Sequence, residues 1–202
     1  MTSFGIEGNK RHGKNVLSTA LGIWIARRAG NIPLWSNYTI FGYPYFNKYD
    51  EPSEILKLRD AVLIFDELGT TTDARTTKSE QQILFTHKFA QMEKDGITFI
   101  YTCQRPYLIE KRVREQTDYV IQCYKHPLTG RMTQTWFDTS QGRDNKRVGA
   151  LIGKFIVHPE QTYRHFDTFE HVESNVNFND MVGSGFKQKW KPKNKWKGGD
   201  NI

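Results

Sequence analysis

Cysteine is scarce: Cys103 and Cys123 are the only two in 202 residues, and each falls in a predicted strand. That density excludes a disulfide framework and points to a reducing compartment. Neither has a C-x-x-C partner, and the six histidines show no metal-ligand spacing. Long apolar runs are also absent. No stretch reaches the roughly eighteen residues a membrane-spanning helix needs, so none is expected. The N-terminus lacks a charged-then-apolar leader, so no secretion signal is expected. Aliphatic side chains are few, with a hydrophobic fraction of 37%, and an aromatic share of 13% helps to offset this. Acidic residues are outnumbered, 22 against 29 basic, which leaves a net charge of +7 and favours acidic partners, nucleic acid first.

The positive excess is local. Residues 183–202 hold six lysines and one aspartate and so carry +5 of the +7, leaving a body that is only mildly basic. A length of 202 residues suits one domain with a small appendage and is enough to bury a core. Patterning predicts a short first strand near Ser3–Ile6. A helix follows over Lys14–Ala29, with Val16, Leu17, Ala20, Leu21 and Trp24 at helical spacing. Strands are expected at Leu34–Phe41, Ala61–Phe65, Ile97–Thr102 with its end at Cys103 and Gln104, and Tyr119–Cys123. Helices are expected at Glu51–Leu58, Thr77–Lys94 and Leu108–Gln116. This alternation predicts an α/β fold with a mainly parallel central sheet flanked by helices. After residue 124, turn signals bracket Met132–Phe137 and a further strand, Leu151–Val157, which read as an antiparallel add-on at the sheet edge. The organisation expected is therefore a core over 1–124, an antiparallel extension packed on it over 125–174, and a basic, flexible tail over 175–202.

What the chain does have is a loop at Gly8, Asn9, Lys10, Arg11, His12, Gly13, Lys14, Asn15 and Val16, just where the first helix begins. It fits the phosphate-loop template G-x-x-x-x-G-K, except that Asn15 stands where Ser or Thr is usual. Such a loop works because successive backbone N–H groups and a helix N-terminus face an anion. Lys14 is placed to reach the β- and γ-phosphate oxygens, and His12 is read as a carrier of backbone rather than as a base or ligand. The bland alternative is a chance Gly-Lys turn.

About fifty residues on, the apolar run Ala61–Phe65 ends in Asp66 and Glu67. Two adjacent carboxylates at the end of a buried strand have little structural purpose without a cation. Asp66 is read as a Mg2+ ligand, directly or through water; either Asn15 is a second through its side-chain carbonyl, or a water intervenes, or magnesium affinity is weak; Glu67 is read as the base that polarises water. A helix cap by Asp66 is the alternative. Gln104, which ends the next predicted strand, is placed to sense the terminal phosphate or to orient water; the bland alternative is an ordinary loop-entry glutamine. Arg75, Arg112 and Arg114 are candidates for an arginine acting across a subunit boundary, against the ordinary role of solvated surface charges. In the tail, Lys187, Lys189, Lys191, Lys193, Lys195 and Lys197 alternate with other residues, and Trp190 and Trp196 are interleaved. That pattern suits phosphate contacts with base stacking, or else a solubilising terminus or an anchor for an acidic partner.

Taken in order, these motifs resemble the FtsK–HerA superfamily of P-loop (RecA/FtsK-like) DNA-pumping ATPases. Within it they are most similar to the genome-packaging ATPases of membrane-containing icosahedral viruses. The segment Phe166–Glu170 resembles a piece that some members carry after the core. The resemblance covers about residues 1–172. It implies an ATP- and Mg2+-dependent enzyme that translocates double-stranded DNA into a preformed capsid. It further implies a homo-oligomeric ring, hexamer or pentamer, with nucleotide between subunits, a capsid vertex or portal protein as a partner, and a place in the host cytoplasm or the virion. Lys14, Asp66, Glu67 and Gln104 match motif positions, and Arg75 and Arg114 match arginines near the subunit interface. Two other readings stay open: a filamentous-phage-type assembly or conjugative ATPase, and a nucleotide-binding scaffold with little hydrolysis, for which Asn15 is the main support.

Overall fold

Strands buried on both faces need apolar side chains at every position, and the middle of this chain supplies them. The computed structural model describes residues 2–68, 88–140 and 149–157. Val62–Phe65 is buried throughout, and Thr98–Cys103 at all but its first residue. These two strands pair in parallel, Val62 with Thr98 through Phe65 with Tyr101. In chain order the elements are β1 (Ser3–Glu7), α1 (Lys14–Arg28), β2 (Leu34–Ser36), β3 (Phe46–Lys48), β4 (Val62–Phe65), β5 (Thr98–Cys103), α2 (Lys111–Glu115), β6 (Tyr119–Lys125), β7 (Met132–Asp138) and β8 (Ala150–Val157). They form one sheet of eight strands in the order β3-β2-β4-β5-β1-β6-β7-β8. Pairing is parallel from β3 through to β6, while β7 and β8 are antiparallel. The result is an α/β sheet, mainly parallel, with antiparallel strands on its C-terminal side.

This order positions the site. β1 lies between β5 and β6, and β4 stands just beyond β5. Because these strands run in parallel, whatever follows β1, β4, β5 and β6 gathers at one edge of the sheet. Both faces above that edge are covered. On one side Ile6, Leu34, Ile64, Ile100 and Ile121 pack with Val16, Leu17, Ile23 and Ala26 of α1. On the other, Leu63, Phe65, Phe99 and Tyr101 pack with Phe89, Met92, Ile97 and Val113. Lys88 is buried here, and its amine donates to the carbonyls of Leu56 (3.1 Å) and Leu58 (3.0 Å) and to the Asp95 carboxylate (2.5 Å), which Arg59 also contacts.

Several elements differ from expectation for local reasons. The strand predicted over Leu34–Phe41 stops at Ser36, because Ser36 Oγ accepts the Tyr38 N–H and Asn37 turns to the backbone of Asp66. Beyond it, the aromatic segment Tyr43, Pro44 and Tyr45 leads into an unforeseen strand, β3, parallel to β2. The helix expected over Leu108–Gln116 divides into a 3-10 turn, Pro106–Leu108, and the short α2. Ile109 and Glu110 between them have extended backbone, with ψ 139° and 138°. Glu51–Leu58 is 3-10 over Pro52–Lys57, and its start is fixed by Glu54, which accepts the Glu51 N–H. On α1, Trp24 points outward rather than into the core: it is 59% exposed, with the Arg28 guanidinium 5.9 Å from its ring. Of the helix expected over Thr77–Lys94, residues 88–91 are described as helical, 92–96 form turns, and the part before 88 lies outside the described residues.

Candidate phosphate-loop site

The loop after β1 is held against the ends of both neighbouring strands. The Gly8 N–H donates to the Cys103 carbonyl of β5 at 3.3 Å. On the other side, a Cβ at Gly8 would fall 2.6 Å from the Cys123 carbonyl oxygen, so only glycine lets the loop pass β6 this closely. Gly13 sits at the start of α1 with φ 85°, a left-handed conformation, and a Cβ there would meet Met132 Sδ at 2.9 Å. The bend delivers the N-terminus of a fifteen-residue helix whose first turn carries no acidic side chain. A free helix N-terminus of that kind is suited to an anion.

Lys14 is buried at the foot of this bend, at 5% exposure. Its amine donates to the Asn9 carbonyl (3.2 Å) and lies 3.6 Å from Glu67 Oε1. A buried ammonium satisfied by one loop carbonyl and one carboxylate has donor capacity for a phosphate oxygen.

The carboxylates come from the turn after β4. Asp66 is buried, and its carboxylate accepts from Asn15 Nδ2 (2.8 Å) and from the Thr102 hydroxyl (2.5 Å). Its peptide is clamped at both ends by Asn37, whose Oδ1 accepts the Asp66 N–H (2.9 Å) and whose Nδ2 donates to the Asp66 carbonyl (3.1 Å). Burial pushes the Asp66 carboxyl above its ordinary value. The bonds from Thr102 and Asn15 oppose this, the charge of Glu67 adds to it, and Lys14 opposes it again. A buried carboxylate carrying that penalty gains from a cation beside it.

Glu67 has φ 55°, a left-handed conformation for a residue with a side chain. Holding it there costs on the order of 1–2 kcal/mol. Its N–H donates to Thr102 Oγ1 (3.0 Å), and its Oε1 accepts from Gln104 Nε2 (2.9 Å). Thr102 therefore fixes both acids with one hydroxyl, donating to Asp66 and accepting from Glu67.

The residues fit a magnesium–triphosphate group. Asn15 donates through Nδ2, the only side-chain atom it can offer a carboxylate. Its Oδ1 makes no hydrogen bond among the described residues and remains a ligand for a hard cation. No cluster of three His, Cys, Asp or Glu side chains suited to a metal occurs among the described residues. A cation here would rest on Asp66, Asn15 and phosphate oxygens, a donor set typical of Mg2+.

Lys14, Asn15, Asp66, Glu67 and Gln104 thus meet at one point. Arg112 and Arg114, on α2, do not join them by any hydrogen bond or ion pair among the described residues. Arg112 is exposed, while Arg114 buries its Nε with no hydrogen-bond partner. Arg75, Phe166–Glu170 and the lysines and tryptophans of 187–197 lie outside the described residues. Sequence reading missed Thr102 and Asn37. Strand register is the signal that finds Thr102: Phe65 pairs with Tyr101, so the next residue along β5 lies opposite Asp66.

The profile of the zonular occludens toxin (Zot) family matches residues 47–170. Among solved structures, the N-terminal domain of zonular occludens toxin from Neisseria meningitidis aligns with a TM-score of 0.60 at 13% identity, covering 82% of this chain and 98% of that one. The genome-packaging NTPase B204 of Sulfolobus turreted icosahedral virus 2, in complex with AMP, aligns with a TM-score of 0.53 at 14% identity, covering 78% and 97%. The same NTPase in complex with AMPPCP aligns at 0.51 and 14%, covering 70% and 94%. At these identities the likeness establishes a shared fold, that of the P-loop NTPases. A comparison with curated proteins gives no match.

Proposed function

We propose, on the premise that this chain belongs to the zonular occludens toxin (Zot) family, that it is a viral ATPase that hydrolyses ATP to translocate double-stranded DNA into a preformed capsid, working as a homo-oligomeric ring. One observation carries the reading. A buried lysine at a helix-opening loop lies 3.6 Å from a strand-end glutamate whose neighbouring aspartate is buried and hydrogen-bonded to Asn15. The genome-packaging NTPase whose fold this chain shares has been seen with AMP and AMPPCP, which supports a nucleotide in the same place.

The work divides among the residues as follows. Backbone N–H groups of Gly8–Asn15 and the start of α1 hold the phosphates, and Lys14 exchanges the Asn9 carbonyl for a phosphate oxygen. Asp66 and Asn15 would hold Mg2+, which would supply positive charge against the phosphate oxygens. Glu67 accepts a proton from the attacking water, and Gln104, already bonded to Glu67, sets the direction of its carboxylate. Arg114, with Nε buried and unsatisfied, is the arginine in the described residues best placed to gain from an acceptor on a neighbouring subunit; Arg75 and Arg112 are the alternatives. The charge on 183–202 supports DNA contact by the tail, and a vertex or portal protein would anchor the ring to the capsid.

The test is an ATPase assay with and without DNA across a magnesium titration. Turnover that rises with double-stranded DNA supports translocation, and tight binding without turnover would make the chain a scaffold. Glu67→Gln is expected to keep ATP binding while lowering kcat by about 100-fold or more, as for loss of a general base. An unchanged rate in that variant removes Glu67 from the mechanism. A second reading, a filamentous-phage-type assembly or conjugative ATPase, takes support from the family match itself, since the matching family is not one named for packaging. It would use the same site, and stimulation by single-stranded rather than double-stranded DNA identifies it.

A further inference from the structure

Resting on the nucleotide reading above, the fold also says where the rest of the nucleotide goes. The acidic pair follows β4, on one side of the loop after β1, and β6 and β7 stand on the other side. A triphosphate on the loop with its terminal phosphate toward Asp66 and Glu67 must run its nucleoside away from β4, over the edge formed by β6 and β7. The loop touches that edge, since Gly8 abuts the Cys123 carbonyl and Gly13 abuts Met132, at the start of β7.

An aromatic cluster outside the hydrophobic core stands there. Tyr124, near the end of β6, is 49% exposed. Its ring meets that of His12, a loop residue, edge-on with centroids 5.5 Å apart and planes at 89°. His126 meets it at 6.5 Å and 87°. His12 is itself tied to β6, with Nδ1 3.4 Å from the Cys123 carbonyl. The ring contacts hold Tyr124 in place and still leave half of it to solvent. Alternation explains the exposure: Ile121 and Cys123 fill the core beneath α1, so Tyr124 faces away from it.

We infer that Tyr124, held by His12, is the platform on which the nucleotide base stacks. The ligand class is a purine nucleoside triphosphate, because the larger purine ring gains more from a tyrosine face than a pyrimidine does. Stacking does not read ring substituents, so ATP and GTP are expected to bind within a few-fold of each other. Alanine at a base-stacking ring costs roughly 1–3 kcal/mol, which corresponds to about 5- to 150-fold in affinity.

The test is calorimetric binding, with magnesium, of ATP and of inorganic tripolyphosphate, which has no base, to the full chain and to Tyr124→Ala, Tyr124→Phe and Lys14→Ala. The expected result is at least a fivefold weaker Kd for ATP in Tyr124→Ala, with tripolyphosphate unchanged and near-normal ATP binding in Tyr124→Phe. ATP affinity unchanged in Tyr124→Ala, or an equal loss for tripolyphosphate, overturns the platform. Lys14→Ala separates the two layers: if it weakens neither ligand, the phosphate-loop reading itself fails and the platform falls with it.

Discussion

At the residue scale, the acids depend on one hydroxyl. Thr102 donates to Asp66 and accepts from the N–H of Glu67, a residue whose left-handed φ of 55° needs outside support. Thr102→Val keeps the shape and removes both bonds. A hydrogen bond to a charged group is worth about 1.5–3 kcal/mol, so kcat is expected to fall by roughly 10- to 100-fold and Tm to drop by several degrees, because a buried carboxylate and N–H lose their partner. Steady-state ATPase kinetics with a melting curve check this, and a full-rate variant would mean that the carboxylates hold themselves in place. That Lys14, Asp66, Glu67 and Gln104 would meet was legible because residue type and order along the chain mark them. Thr102 and Asn37 were not, because what matters is whom they face, and that follows from register between strands and from a break in β2. Cys123 belongs to the second kind: burial pushes its thiol up to about 12, so it is an inert packing group whose carbonyl, not its sulfur, shapes the loop.

At the element scale, the parallel strands are held by two cores, and one of them encloses a charge. Lys88, in the helical stretch 88–91, gives its amine to the carbonyls of Leu56 and Leu58 and to Asp95. The hydrogen bond from Lys88 is the main influence holding the Asp95 carboxyl below its ordinary value; burial opposes it, and the charges of Lys88 and Arg59 add to it. A carboxyl with a lowered folded pKa contributes stability that is present above its unfolded pKa and lost as pH falls through the folded one. The urea midpoint is therefore expected to drop below about pH 4, and Asp95→Asn to shrink that drop. An identical acid limb in the variant would take the pair out of the account. The strands around this core were easy to read because burial on both faces makes them continuously apolar, as Val62–Phe65 is. Elements near the site were harder. β2 is cut short where Asn37 leaves the ladder for Asp66, and α2 is separated from its 3-10 turn by two extended residues, so side-chain capture and backbone geometry override the pattern there.

At the scale of the whole molecule, the fold places a loop, an acid pair, the Gln104 amide and an aromatic edge along one margin of a single sheet. That arrangement suits the proposed motor, in which each subunit would bind nucleotide and a neighbour would complete the site. Arg114, with its buried and unsatisfied Nε, is where the proposed ring meets the described residues, and the +5 charge of residues 183–202 is where DNA would meet the chain. All of this depends on a triphosphate lying between Lys14 and Glu67. The most direct measurement is a crystal structure with a non-hydrolysable ATP analogue and magnesium. The account predicts that Lys14 leaves the Asn9 carbonyl for a terminal phosphate oxygen, with the metal touching Asp66 and Asn15 and the base over Tyr124. A nucleotide bound elsewhere, with Lys14 still on Asn9 and Asn15 still closed on Asp66 without a metal, would contradict it.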